Sequence, residues 1–510
     1  MSRKKHKRLK VLMVATEATP YAEVGGVSDV ISYLSRTLNS LNHDVRIFMP
    51  KYGSIDFGKY KMRKVCEGLK VPTQDEANPY LMCNVKSCRS ETGVLTYFLE
   101  NKEYYEKRAN IYGYSDDHTR WALLSRGVLE FIKTQKFVPD VIHCNDFHTG
   151  LVANYVKTVY KKDKLFDNIA TVFTIHNLSY QGYMLNHMNP TELEFDDGKS
   201  AVASFFAARL NTQNLMKRGI MYSDAINTVS KTYAREILTP EFGEGLDKLL
   251  LELKGRLFGI INGIDYEEND PETDNLLVQN YNVNSLHLRW RNRRALQEEF
   301  NLPINKDALL LSYVGRLSYQ KGVDLIVQAL HHLLGDYNIQ FAQVGGGDGD
   351  LSSMLRDLKS KFPDKVGIHP YPNFTLPKLL FAGSDCVLFP SRFEPCGIVQ
   401  IEALRYGSVP IVRKVGGLAD TVQNFDSTTS EGNGLVFTDF DIFSLFASII
   451  RALELHQNKK LWSKLQRNAM MSDYSWEFSS TEYLKLYELA LLFRIKKNVR
   501  EKTIEDYLSS

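Results

Sequence analysis

Phe389-Pro390-Ser391-Arg392-Phe393-Glu394-Pro395-Cys396-Gly397-Ile398-Val399-Gln400-Ile401-Glu402-Ala403-Leu404-Arg405-Tyr406-Gly407, continued by Val415-Gly416-Gly417-Leu418-Ala419-Asp420-Thr421, decides how the chain is read. The apolar run Cys386–Phe389 reads as a strand closed by a Pro-Ser turn. Gly397 to Tyr406 reads as a helix, with Ile398, Ile401 and Leu404/Arg405 near helical spacing. The loop between them lies at the carboxyl end of a strand and the amino end of a helix. In an open α/β sheet that edge receives ligands, and a helix start offers free N–H groups to an anion. Glu394 falls in the loop, free to bond a polar ligand. Glu402 is expected about one and a half turns into the helix, toward the same crevice.

The same strand–turn–helix grammar recurs on both sides. Leu309–Val314 reads as a strand running into Gly315-Arg316-Leu317-Ser318-Tyr319-Gln320-Lys321-Gly322, and Leu325, Ile326, Ala329 and Leu330 line the apolar face of the next helix. Arg316 and Lys321 then sit at one corner, where the arginine can fork onto an anion and the lysine can act as a point charge. Val344-Gly345-Gly346-Gly347-Asp348-Gly349 lacks the spacing of the dinucleotide fingerprint and reads as a turn that lets backbone lie against a nucleotide. Near the amino end, the apolar run from Lys10 to Thr16 leads to Glu23-Val24-Gly25-Gly26-Val27-Ser28-Asp29. A helix follows with Val30, Ile31, Leu34 and Leu38 on one face, capped by Ser28 or Asp29. Its two glycines let the backbone approach a phosphate or a sugar. A strand is expected over Asp44–Pro50, little pattern through residue 115, and a helix from about His118 to Lys133. Strands at Val138 to Cys144 and at Ala170–Ile175 end in His143-Cys144-Asn145-Asp146-Phe147-His148-Thr149-Gly150 and His176-Asn177-Leu178-Ser179-Tyr180-Gln181-Gly182. Residues 443 to 471 read as helices, and a long amphipathic helix carries Tyr483, Leu486, Tyr487, Ala490 and Leu491.

At 510 residues the chain exceeds one hydrophobic core, so two large domains are expected. A composition of 44% hydrophobic and 24% charged residues is that of a globular protein, and a net charge of +3 points to no polyanionic partner such as nucleic acid. Six scattered cysteines (Cys66, Cys83, Cys88, Cys144, Cys386, Cys396) fit reduced thiols better than a disulfide framework. Cys83 and Cys88 lack the second pair that a metal site would need. The first nine residues read as a basic arm; no signal or transit peptide is expected, and the chain holds no eighteen-residue apolar run.

Taken together, these strings resemble the glycogen synthase and starch synthase family of retaining glycosyltransferases over roughly residues 10 to 495. The Arg-Leu-x-x-Gln-Lys-Gly string and the Glu394 loop are its most specific parts. Asp146-Phe147-His148 and Thr174-Ile175-His176-Asn177-Leu178 resemble its Asp-Trp-His and Thr-x-His-Asn-Leu segments, and Asn110-Ile111-Tyr112-Gly113-Tyr114 its acceptor-side loop. Four departures stand out: Glu23 where the family's Lys-x-Gly-Gly carries a cation, Phe147 for tryptophan, no tryptophan in the polar stretch Tyr266 to Asp270, and an acid at Glu402.

The resemblance implies an α/β fold of the GT-B kind. Two Rossmann-like domains would face one another across a cleft: residues 10–262 on the acceptor side, 263–475 binding the nucleotide sugar, with 266–270 as hinge. A helix within 476–510 would cross back to the first domain. It implies catalytic roles for His176, Arg316, Lys321 and Glu394, with His176 over the reacting glucose, donating hydrogen bonds to its hydroxyl or backing its anomeric carbon. Donor contacts are implied for Glu23, Gly25, Gly26, Gly345, Cys396, Gly397, Glu402, Gly416, Gly417, Leu418 and Thr421. Acceptor contacts are implied for Tyr112, Asp146, His148 and Asn177. The implied reaction moves glucose from ADP-glucose to the non-reducing end of an α-1,4-glucan, without cofactor, metal, membrane or nucleic acid, in a cytoplasm or plastid-like stroma. Two alternatives stay open: another donor such as UDP-glucose or another acceptor, and a glucan-binding homologue impaired by Glu23. No oligomeric state is assigned.

Overall fold

The computed structural model describes residues 8–56, 58–182 and 196–495. The chain divides into two α/β units. Unit 1 comprises residues 1–229, 234–260 and 476–510, and unit 2 comprises 230–233 and 261–475. The crossing therefore follows residue 260, two residues before the expected boundary, and the return falls at Trp476. Of the basic arm only Arg8 and Leu9 are described, and Leu9 is already buried.

Unit 1 holds one sheet built from β1 (Lys10–Val14), β2 (Asp44–Pro50), β3 (Arg63–Pro72), β4 (Tyr80–Arg89), β5 (Leu95–Glu100), β6 (Val141–Asn145), β7 (Ala170–Ile175), β8 (Ala225–Thr228) and β9 (Leu257–Gly259). Their order is β3-β4-β5-β2-β1-β6-β7-β8-β9. From β5 to β9 every pairing is parallel. These strands are mostly apolar because helices cover both faces; β7 is buried at every position. The stretch expected to lack pattern instead forms the antiparallel pair β3–β4 and the strand β5. β3 is an edge strand with charged, exposed positions, so its sequence has the look of a loop.

Unit 2 carries β10 (Leu309–Val314), β11 (Ile339–Val344), β12 (Val366–His369), β13 (Cys386–Phe389), β14 (Val409–Arg413) and β15 (Leu435–Phe437), in the order β12-β11-β10-β13-β14-β15 and parallel throughout. One core joins Leu325, Ile326 and Leu330 of the helix Val323–Leu333 to Leu311, Phe341, Leu388 and Ile411 on the strands. The stretch expected to be a hinge is fastened inside this unit. The Tyr266 hydroxyl donates to the Ser472 carbonyl (2.9 Å), Arg405 lies over the Tyr266 ring (4.7 Å), and Arg405 pairs with Asp270 (3.1 Å).

The helix Trp476–Ile495 belongs to unit 1 and packs on β6, β7 and β8. Its seat is polar as well as apolar. His143 on β6 bonds the Tyr487 hydroxyl (2.9 Å) and Thr174 Oγ1 (2.6 Å), and Asn227 on β8 donates to Thr174 and to the Tyr483 hydroxyl (3.3 Å each). Among the described residues no helix is long and apolar enough to cross a membrane, and all six cysteines are unpaired.

Candidate active site

In unit 2, three loops at the carboxyl edge of the sheet come together. Gly345, just after β11, has φ +128°, and a Cβ there would stand 2.0 Å from the Gly315 carbonyl oxygen. Only glycine permits that approach, which presses the Gly345–Gly347 turn against the loop leaving β10. The Leu317 N–H donates to the Gly346 carbonyl (2.9 Å) and the Asp348 N–H to the Leu317 carbonyl (2.9 Å). Gly417 plays the same part below β14: a Cβ would lie 2.0 Å from the Cys396 carbonyl oxygen, and the Gly417 N–H reaches the Glu394 carbonyl (3.0 Å).

On this scaffold Lys321 Nζ meets Glu394 Oε2 at 2.5 Å, and Ser391 Oγ donates to the same oxygen (3.3 Å). Glu394 is buried; Lys321 keeps 28% of its side chain exposed. The two groups expected to grip different parts of a donor are thus paired with each other. Arg316, in the loop that presents Lys321, is exposed, and among the described residues no acceptor engages its guanidinium. The loop is held from below as well. Ser230 Oγ donates to the Pro395 carbonyl (2.6 Å), and Thr232 donates twice to Asp420, from N (2.8 Å) and Oγ1 (2.6 Å).

Several expected donor contacts need correcting. The helix starts at Val399, not Gly397, because Gly397 is left-handed at φ +69°. Glu402 therefore sits in the first turn, half-buried, where its charge is felt by Tyr406. Leu418 and Thr421 are fully buried; Thr421 Oγ1 donates to the Gly417 carbonyl (2.7 Å) and accepts from Gln400 Nε2 (3.2 Å). Burial pushes the Cys396 thiol up to about 12, so it is a packing group and not a nucleophile. At Cys396, Leu418 and Thr421 only backbone remains for a ligand, as at Gly397 and Gly416.

In unit 1 the ends of β6 and β7 form a second constellation. Asp146 holds φ +54°, ψ 178°, a region that side chains rarely enter, and such strain concentrates at working sites. Its Oδ1 accepts the His176 N–H (2.8 Å), and the Asn177 N–H also donates to the carboxylate. Burial nevertheless raises the group to about 7. His176 is buried and lowered to about 4 by desolvation, so it is neutral. Its Nε2 lies 3.0 Å from Asn145 Oδ1, and Asn145 Nδ2 donates to the Val14 and His143 carbonyls. Asn145 therefore offers only an acceptor, which places the ring proton on Nε2 and leaves Nδ1 bare. Nδ1 can then accept a hydrogen bond but has none to donate, so of the two expected roles the one as a donor to a sugar hydroxyl does not fit this tautomer.

His148 has a different setting. Its ring stacks on Phe147 (3.7 Å between centroids), lies 4.9 Å from Tyr112 and meets Trp121 edge-on at 5.0 Å. Burial lowers it to about 3. Asn177 Oδ1 is used locally, accepting the Ser179 N–H (3.0 Å). Glu23, Val24, Gly25 and Gly26 are all exposed, and Glu23 has no side-chain partner among the described residues. The following helix, Val27–Ser40, is capped by Gly26 and not by Ser28 or Asp29: Ser28 Oγ turns to the Gly25 carbonyl (2.8 Å), and Asp29 accepts from Thr19 Oγ1 (2.6 Å). Two residues that the sequence reading passed over hold these parts, Asn145 behind His176 and Glu17 behind the glycine loop. The available signal for Glu17 was an acid placed directly after the apolar run of β1.

Residues 10–252 match the family model described as starch synthase catalytic domain, and residues 296–470 that described as glycosyl transferases group 1. A glycogen synthase from Clostridium novyi is 41% identical over 94% of this chain and 98% of its own. One from Desulforudis audaxviator is 39% identical over 95% and 97%. The solved catalytic domain of starch synthase IV from Arabidopsis thaliana, bound to ADP and acarbose, superposes with a TM-score of 0.82 at 30% identity, covering 95% of this chain and all of that one.

Proposed function

The chain is a glycosyltransferase of the glycogen and starch synthase family, and on that premise we propose that it transfers glucose from ADP-glucose to the non-reducing end of an α-1,4-glucan, retaining the anomeric configuration. The observation that carries the reading is the Lys321–Glu394 pair beside the unengaged Arg316. A sugar diphosphate splits such a pair productively: its phosphates take the lysine, and the freed carboxylate accepts from the sugar hydroxyls. The two cations then stabilise the charge that develops on the departing diphosphate. His176 Nδ1 accepts from a further sugar hydroxyl. The half-buried rings of Tyr112, Phe147 and His148, backed by the buried Trp121, are assigned to the acceptor sugar.

Among the described residues neither buried carboxylate of the site is left for nucleophilic attack: Asp146 is held by two backbone N–H groups, and Glu394, once the diphosphate has taken Lys321, is occupied by the sugar hydroxyls. We therefore assign a same-face displacement. The C1–O bond to phosphate breaks, the bond from C1 to the acceptor hydroxyl forms, and the hydroxyl proton passes to the leaving phosphate. Arg316 and Lys321 supply the positive charge this needs, so the transfer is proposed to run without a metal, unaffected by chelator. Adenine as the base is supported by the ADP of the starch synthase IV complex, and a reducing, cytosolic location by the six free thiols.

The test is glucose incorporation into glycogen from ADP-glucose and from UDP-glucose. Preference for UDP-glucose overturns the donor assignment, and no product from either overturns the activity. Glu23→Lys separates the impaired alternative, which requires that variant to raise the rate sharply.

A further inference from the structure

Residues 23–26 are exposed on every side, and a Cβ built at Gly25 meets nothing within 4 Å. Packing therefore does not hold the glycine loop in place. Two buried side chains do, Ser28 through its Oγ on the Gly25 carbonyl (2.8 Å) and Glu17. Glu17, 4% exposed, accepts the Val24 N–H (2.7 Å) and the Gly25 N–H (3.0 Å) on Oε2, and the Tyr112 hydroxyl (3.0 Å) on Oε1. The chain of bonds runs further. Thr16 Oγ1 lies 2.7 Å from that same tyrosine oxygen, and the Tyr52 hydroxyl donates to the Thr16 carbonyl (2.8 Å). The Gly25 amide, expected to meet an anion, is thus already filled by the protein's own carboxylate, as is that of Val24. The next amide is not: among the described residues no acceptor takes the Gly26 N–H, which opens the helix Val27–Ser40.

We infer that Glu17 is a positioning residue for the transfer: its carboxylate ties the glycine loop to Tyr112, so that the Gly26 amide is the one presented to the donor. The inference rests on the reading of this loop as part of the donor site. Charge-assisted bonds from two backbone donors and a phenol offset part of the cost of burying the carboxylate and set the loop's height over the end of β1. Because Tyr112 also belongs to the aromatic group beside His148, one carboxylate sets the loop and the ring together.

The experiment is a double-mutant cycle. Gly26 has φ −63°, which proline adopts without strain, so Gly26→Pro deletes the amide proton and keeps the backbone. Glu17→Ala frees the loop, and Glu17→Gln keeps one acceptor and the side-chain volume. The readouts are KM for ADP-glucose and kcat at saturating glucan. Gly26→Pro and Glu17→Ala are each expected to cut kcat/KM for the donor by about 10²-fold, the scale of a misplaced binding group. The double variant should be no worse than either single one, and Glu17→Gln should recover most of the loss at an unchanged melting temperature. Unchanged donor kinetics in Gly26→Pro overturns the loop's assignment to the donor site. A loss in Gly26→Pro that multiplies with that of Glu17→Ala, or that Glu17→Gln and Glu17→Ala fail to share, overturns the role of Glu17 alone.

Discussion

Asp146→Asn should make the protein more stable and less active, and the stability gain should depend on pH in one direction only. Asp146 is enclosed at the junction of β6 and the loop that follows, where burial moves its carboxyl from the ordinary 3.8 to about 7. The folded state therefore keeps a proton that the unfolded chain releases from about pH 4 upward. Between pH 4 and 7 the unfolded state binds fewer protons, so stability falls as pH rises through that window and levels off above it. At 1.36 kcal/mol per pKa unit the span is worth about 4 kcal/mol, and partial solvation of the loop reduces this to roughly 2–4 kcal/mol. Asparagine keeps an oxygen for the His176 N–H but carries no charge, so above pH 7 the variant should recover most of this. At pH 4 it should gain nothing. Urea unfolding of both proteins at pH 4.5, 6 and 8 measures it. A gain that is equal at all three values, or largest at pH 4.5, would refute the reasoning. Activity should fall by about 10²-fold, because an acceptor that contributes to positioning has lost its charge.

Lys321→Ala should cut turnover by about 10²–10³-fold, and Glu394→Ala added to it should cost much less than it does alone, because the two act as a pair; independent losses would argue against the exchange with a sugar diphosphate. Gly417→Ala drives a methyl into the Cys396 carbonyl and should cost about 1–3 kcal/mol while raising donor KM, read by thermal melting and kinetics. His176, lowered from 6.5 to about 4, should show no imidazole titration by NMR between pH 5.5 and 8. Its contribution to stability is lost only as pH falls from the ordinary value toward 4. Tyr487→Phe leaves His143 Nδ1 without its partner and should cost about 1–2 kcal/mol in urea unfolding.

The strands Asp44–Pro50, Ala170–Ile175, Leu309–Val314 and Cys386–Phe389 could be read from sequence to the residue. They are buried on both faces, so a run of apolar, β-branched residues cut off by a turn has no competing interpretation. β3 and β4 could not, because an edge hairpin that alternates charge with burial has the composition of a loop. The helix start at Val399 was missed by two residues because the left-handed Gly397 carries no mark in a hydrophobic pattern. Identities of candidate residues came through better than their chemistry. Lys321 and Glu394 lie 73 positions apart, and nothing local announces that they touch. For His176 a donor's role and a place behind the anomeric carbon were both open, because the proton's location depends on Asn145, thirty-one positions upstream and on a neighbouring strand.

The polar seat of the helix Trp476–Ile495 bears on how the chain is made. His143, Thr174 and Asn227 emerge from the ribosome some two hundred and fifty or more residues before Tyr483 and Tyr487 do. Unit 2 lies almost entirely within the intervening segment and has no need of anything after it. The half synthesised first is therefore the half completed last, and until then it presents a histidine, a threonine and an asparagine in an otherwise apolar groove. A nascent chain stalled before Trp476 should yield a finished second half beside a protease-sensitive first one.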